Sequence, residues 1–199
     1  MFGQGQSRTE ISPVDNAWAG AFRNAHPITI QPIRFDRNHA FSMTSPHAIE
    51  FEGKLYPSAI HLWHALRFLR RPARRSRGRH AEESWHPELA DAIRQTAEPE
   101  LMADQWANAG GIGKDGTIMR SLQRPDWEEV QMDKIDDVLA LKFTQHPALG
   151  QSLVSTHPAE LLYMWDGPWG AGRDLKGPNN LGKAVMRCRE RLLAAQRRQ

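Results

Sequence analysis

Proline placement constrains this chain more than any other feature. Pro57, Pro87, Pro99, Pro125 and Pro147 each stand at the edge of a stretch with helical rhythm. A proline fits the first helical turn, where its missing N–H has no partner to lose. In a helix interior it removes a hydrogen bond and clashes with the preceding turn. The chain is therefore restricted to short and medium helices separated by forced breaks. After Pro57, with Ser58 as cap, Ile60, Trp63, His64, Arg67 and Phe68 recur at three- and four-residue steps. A second helical stretch spans Pro87 to Asn108 and restarts near Pro99. A third opens at Pro125, runs through Trp127, Val130, Ile135, Val138, Leu141 and Lys142, and ends before Pro147. Gln151 to Met164 reads as another helix. Asn180 to about Gln196 reads as the last, with Leu181, Val185, Met186 and Leu192 as its buried stripe. Ala48 to Tyr56 predicts a small hairpin turning at Gly53-Lys54. The expected fold class is mainly α with a small β-hairpin or short sheet, an α+β single domain. Residues 1–24, rich in Gly, Ser, Gln and Asn, are expected to form a loosely ordered extension. Residues 25–199 are then the domain proper, carrying an arginine-rich loop at 70–80.

A length of 199 residues suffices for one hydrophobic core. No run approaches the ~18 consecutive apolar residues of a membrane span, and Met1 is not followed by an apolar signal-peptide core. The single cysteine, Cys188, excludes an internal disulfide framework and a cysteine-based zinc site. These features set a cytoplasmic location, with no membrane partner, as the expectation. The net charge is only +3, but it is unevenly spread. Seven arginines fall between Arg67 and Arg79, and Arg187, Arg189, Arg191, Arg197 and Arg198 crowd the C-terminus. Such clusters suit phosphate groups on a nucleotide or a nucleic acid, or they form a solvated loop and tail. Gly111-Ile-Gly113-Lys-Asp-Gly116 fits the dinucleotide-binding spacing, but no strand precedes it and no βαβ unit surrounds it, so it reads as a loop.

Three ordered segments carry a family resemblance. The first is Phe41-Ser42-Met43-Thr44-Ser45-Pro46 with Gly53-Lys54-Leu55-Tyr56-Pro57-Ser58-Ala59-Ile60-His61-Leu62-Trp63-His64-Ala65-Leu66-Arg67-Phe68. The second is Arg124-Pro125-Asp126-Trp127 followed by Leu141-Lys142-Phe143. The third runs from Asp166 through Trp169-Gly170-Ala171-Gly172 and Gly177-Pro178-Asn179-Asn180-Leu181-Gly182-Lys183 to Arg189. Together they resemble the motifs of the NADAR, or YbiA-like, family. The sequence departs from that pattern where the family has S-E-H: here Ala59-Ile60-His61 replaces the carboxylate with a hydrocarbon. The following Q-A-x-K has become His64-Ala65-Leu66-Arg67, and a later family glutamate aligns with Tyr163, with Glu160 nearby.

The resemblance implies a YbiA-like single domain and hydrolysis of N-glycosidic bonds. The implied substrate class is phosphoribosylamino-pyrimidine intermediates of riboflavin synthesis, or ADP-ribose attached to guanine. No cofactor or metal is implied. The alternative is a lapsed relative that binds a nucleotide or ADP-ribosylated ligand, or nucleic acid through Arg67–Arg79. Cleaving a C–N glycosidic bond develops positive charge on the sugar and negative charge on the departing base, so a carboxylate and a proton donor are needed. The motif residues offered for chemistry are Asp126, Asp166 and Lys142. Asp126 is either a catalytic group or a charge at a helix start. Asp166 is either a site carboxylate or a turn former. Lys142 is either an amine able to capture an opened sugar as a Schiff base or a salt-bridged lysine. His61, Trp63, Arg67, Trp169, Gly170 and Asn179 are the binding candidates. Trp63 and Trp169 can stack on a base, Arg67 can meet phosphate, and Asn179 either caps the last helix or binds a ribose hydroxyl. His61 and His64 lie about a turn apart and can act as acid and base near neutral pH or as half of a metal site, but no third ligand has suitable spacing.

Overall fold

The computed structural model describes residues 30–69, 86–107 and 122–198, without the side chains of 105–107. The expected N-terminal extension, the segment from Arg70 to Arg79 and the Gly111–Gly116 loop lie outside them. Contacts divide the chain into two units, Met1–Gln31 and Pro32–Gln199, and every element below belongs to the second.

The first strand, β1, is Ile33–Phe35. A hairpin of β2 (Ile49–Phe51) and β3 (Lys54–Tyr56) follows. Its turn is Glu52-Gly53, both at positive φ, which matches the twist of paired antiparallel strands. The turn thus falls one residue earlier than the sequence suggests. Next come α1 (Ala59–Ala65), α2 (Pro87–Gln95) and α3 (Pro99–Ala107), the last two separated where Pro99 demands a new start. The 19-residue α4 (Trp127–Gln145) runs alongside α1, α5 and α6. Pro147 opens α5 (Pro147–Val154), then β4 (Leu161–Tyr163) and α6 (Asn180–Gln196) complete the order.

The stretch from Gln151 to Met164 is not one helix. The helix begins at Pro147 and ends at Val154, and Leu161–Tyr163 is a fully buried strand. β4 pairs in parallel with β1, in register Ile33–Leu161, Arg34–Leu162 and Phe35–Tyr163. A three-residue run is too short for a strand period to show, and its partner lies at the far end of the sequence. The core gathers Phe35, Ile49, Tyr56, Leu62, Trp127, Leu139, Phe143 and Leu161, all nearly inaccessible to solvent.

Three of the C-terminal arginines serve α6 itself. Arg187 grips Asp136 of α4 with Nε and a terminal nitrogen at 2.9 and 2.7 Å, and Arg191 adds a third bond at 3.0 Å. Arg189 is buried, donating to the Ala159 carbonyl at 2.7 Å and the Thr156 hydroxyl at 3.0 Å. These arginines fasten the last helix rather than form a free basic tail. Among the described residues no helix is long and apolar enough to cross a membrane, and no group of three or more His, Cys, Asp or Glu is placed to hold a metal.

Candidate functional site

β1 and β4 run in the same direction, so the loops leaving their carboxyl ends emerge side by side. The loop after β1 carries Arg37 and Ser42–Thr44; the loop after β4 carries Trp165 and Trp169. Between them and the helices α1, α3 and α4 lies a cavity of about 300 Å³. Its wall includes Arg37, Ser42, Ile60, Trp63, His64, Arg67, Glu100, Asp104, Gln131, Tyr163, Trp165 and Trp169. Ligand sites of this kind commonly lie beyond the carboxyl ends of parallel strands and combine an apolar wall with a few polar groups. A second cavity shares Arg37, Thr44, Ile60 and Glu100 with the first and extends past His61 to Pro99.

Trp63 is the hub. Its ring lies 5.2 Å from Trp127, tilted, and 5.5 Å from Trp169, edge to face, while its indole N–H donates to the Gln131 carbonyl at 3.1 Å. The three motif segments therefore meet at one side chain. Arg67 sits with its guanidinium 5.5 Å from both the Trp63 and Trp127 rings and bonds Asp104 at 2.7 Å. Arg124, which donates its backbone N–H to the Arg67 carbonyl at 2.8 Å, ties the second motif to the first. Trp165 is half exposed, with the Arg37 guanidinium 5.8 Å over its ring.

The loop after β4 takes its shape from close backbone packing. A Cβ on Gly170 would stand 1.9 Å from the Trp165 carbonyl oxygen, so only glycine lets the chain turn tightly enough to bring Trp165 and Trp169 to one opening. Gly170 itself does not line the cavity. Asn179, at φ 53°, is buried: its side-chain amide donates to the Leu161 carbonyl at 2.9 Å and its oxygen accepts from the Tyr163 N–H at 3.0 Å. It neither caps α6 with its side chain nor faces the cavity; it holds the outer edge of β4.

Of the remaining sequence candidates, Trp63, Arg67 and Trp169 line the main cavity and His61 lines the adjoining one. His61 accepts from the Ser58 hydroxyl at 2.7 Å and donates Nε2–H to the Thr96 carbonyl at 3.0 Å, bracing α1 against the end of α2. Burial lowers its pKa, and the Thr96 hydrogen bond opposes the shift. Asp126 stands at the start of α4, outside the cavity wall, with both oxygens held by Arg124 at 2.7 and 3.0 Å. Asp166 is exposed on the loop after β4, and it too lies outside the wall.

Lys142 is fully buried. Its ammonium donates to the Ala40 carbonyl at 2.7 Å, the Ser42 carbonyl at 2.5 Å and the Ser45 hydroxyl at 2.7 Å, which uses all three of its protons. Burial brings its pKa down to about 7. In this position Lys142 fixes the loop that presents Ser42, Met43 and Thr44 to the cavity, and it does not face the cavity itself.

His64, which the sequence reading pairs with His61, also lines the wall, and Glu100 and Asp104 are two wall residues that it misses. His64 is buried with neither ring nitrogen hydrogen-bonded, and desolvation, with help from the Arg67 charge, drops its pKa to about 3. Glu100 and Asp104, one turn apart on α3, put two carboxylates on the cavity side. Their spacing is a signal the sequence does hold, but it is shared with the solvated face of any amphipathic helix.

The NADAR domain family model matches residues 22–193. The chain is 30% identical over 154 residues to the N-glycosidase YbiA of Escherichia coli strain K12, an alignment covering 76% of this chain and 80% of that protein. A riboflavin biosynthesis protein of Vibrio vulnificus is 29% identical over 168 residues, which span 81% of this chain and 39% of that longer protein. The solved structure of E. coli YbiA superposes with a TM-score of 0.62 at 26% identity, covering 89% of this chain and 94% of that one. Family model, curated relative and solved fold agree over most of the length: this chain belongs to the NADAR domain family.

Proposed function

We propose that this protein hydrolyses the N-glycosidic bond joining a ribose phosphate, or ADP-ribose, to a nucleobase or aminopyrimidine. The observation that carries this reading is the composition of the cavity wall. Trp63, Trp165, Trp169 and Tyr163 offer aromatic surface for a planar base, and Arg37 and Arg67 offer positive charge for phosphate. Stacking on an aromatic face is worth about 1–3 kcal/mol per base, and guanidinium groups bind phosphate in a bidentate manner. The neutral His64 ring can exchange hydrogen bonds with a base or sugar hydroxyl without adding charge. The names of the relatives, an N-glycosidase and a riboflavin biosynthesis protein, point the same way.

In such a reaction a water oxygen bonds to the anomeric carbon as the C–N bond breaks, and its electron pair leaves with the base nitrogen. The test is release of free base from two probes, a phosphoribosylaminopyrimidine and an ADP-ribosylated guanosine, followed by chromatography. Turnover of either at a rate well above the uncatalysed reaction supports the reading and selects the substrate. A second reading, a ligand-binding protein without turnover, is favoured by Ile60, a hydrocarbon in the wall where the family pattern has glutamate. Saturable binding of the same probes with no base released would establish it.

A further inference from the structure

The cavity that carries the proposed hydrolysis needs a carboxylate, and the position that supplies one in the family pattern is Ile60 here. We propose that Glu100, on α3, is the catalytic carboxylate of this chain, acting from the helix that packs beside α1 at the same cavity. This rests on the hydrolase reading above and specifies its chemistry.

The other acidic residue of the main cavity wall and the acidic residues of the motif segments are either paired or outside that wall. Asp104 is bonded to Arg67 at 2.7 Å, and Asp126 is held by both nitrogens of the Arg124 fork. Asp136 carries two arginines and lies away from the cavity. Asp166 and Glu160 are exposed and outside the wall. Glu100 and Asp104 are the two acidic residues among those lining the main cavity, and among the described residues nothing hydrogen-bonds or ion-pairs with Glu100. It also borders the adjoining cavity together with Ile60, so both residues reach the space where the two cavities meet.

An independent feature marks the space as one built for a ligand. The His64 imidazole is 97% buried in the same wall with Nδ1 and Nε2 both unbonded. Buried polar atoms are almost always paired, because leaving one unpaired costs as much as losing a hydrogen bond. A bound ligand supplies the partner.

With substrate in place, Glu100 takes a proton from water as the water oxygen bonds to the anomeric carbon. The C–N bond breaks with its electron pair going to nitrogen. The proton then passes from Glu100 to the released base, so the carboxylate is regenerated and one water is consumed per bond cleaved.

The test compares wild type, Glu100→Gln and Glu100→Ala on the phosphoribosylaminopyrimidine and the ADP-ribosylated guanosine. Glu100 is exposed, so both variants should fold, which their melting curves check. The expected result is a kcat at least 100-fold lower in Glu100→Gln with Kd for the probe within about threefold of wild type. Adding formate to Glu100→Ala should recover at least a tenth of the lost rate, a rescue that a structural role would not give. Ile60→Glu placed on Glu100→Gln should recover turnover by returning a carboxylate to the same space. Turnover in Glu100→Gln above half of wild type overturns the assignment of Glu100 and leaves the hydrolase reading standing. Loss of probe binding in Glu100→Gln also overturns it, showing a binding role. Wild type that binds either probe and releases no base overturns both.

Discussion

His64 occupies the motif position of a glutamine and pays no ionic role at neutral pH, because burial and the neighbouring Arg67 keep it unprotonated down to about 3. In the unfolded chain the same ring takes up its proton near 6.5. Between those values the unfolded state binds more protons, so stability falls as pH drops through 6.5 toward 3. Between pH 7 and pH 4.5 this group should remove about 2–3 kcal/mol of stability. His64→Gln should abolish that portion of the acid sensitivity, as read from urea midpoints at the two pH values; an unchanged pH dependence would show that the ring is hydrated in solution. Trp169 permits a second prediction. It is partly buried and meets Trp63 by its edge, so truncation should leave the fold standing while removing a stacking surface. Trp169→Ala is expected to weaken probe binding by one to two decades, measured by calorimetry. Much at this scale was legible: Trp63, Arg67 and Trp169 stand out as members of the segments that carry the family resemblance, and all three line one cavity. Lys142 was not legible, because its three acceptors are backbone and hydroxyl oxygens some hundred residues away in sequence. Ionisable residues announce their type in a sequence but not their partners.

At the level of elements, α6 and β4 are joined through Asn179. Its amide pairs with two backbone groups of β4, and Gly182 on the first turn of α6 leaves room for it: a Cβ there would stand 2.3 Å from the Asn179 oxygen and 2.4 Å from the Leu161 carbonyl. Asn179→Ala leaves a buried N–H and a buried carbonyl without partners and should cost about 2–4 kcal/mol, with the loss seen in denaturant midpoint at unchanged slope. Asn179→Asp keeps the acceptor for Tyr163 but sets a negative oxygen against the Leu161 carbonyl, so it should be no better than alanine at neutral pH. The starts of α2 and α3 were readable because prolines act on the backbone locally, whereas Pro147 was read as the end of α4 and not as the start of α5. β4 was not readable, since nothing within Leu161-Leu162-Tyr163 names Ile33-Arg34-Phe35 as its partner. α3 is anticipated as a helix, yet nothing in the sequence distinguishes Glu100 and Asp104 from the acidic residues of any solvent face.

For the molecule as a whole, a ligand held between the two loops and three helices should couple them. Probe at a hundred times its Kd is expected to raise stability by ~2.7 kcal/mol, visible as a shift in melting temperature that grows with probe concentration. Amide exchange should slow most in α3 and in the loop from Met164 to Asn179, both of which border the cavity. The parallel β1–β4 pair has a further meaning in time. Its strands are about 130 residues apart along the chain, and closing so long a loop is entropically costly until other contacts have shortened it. A ribosome delivers β1 well before β4, so no nascent or truncated form that stops short of β4 can hold the two loops together. Binding capacity should therefore appear all at once when β4 and the loop after it are made, rather than build up as the chain lengthens.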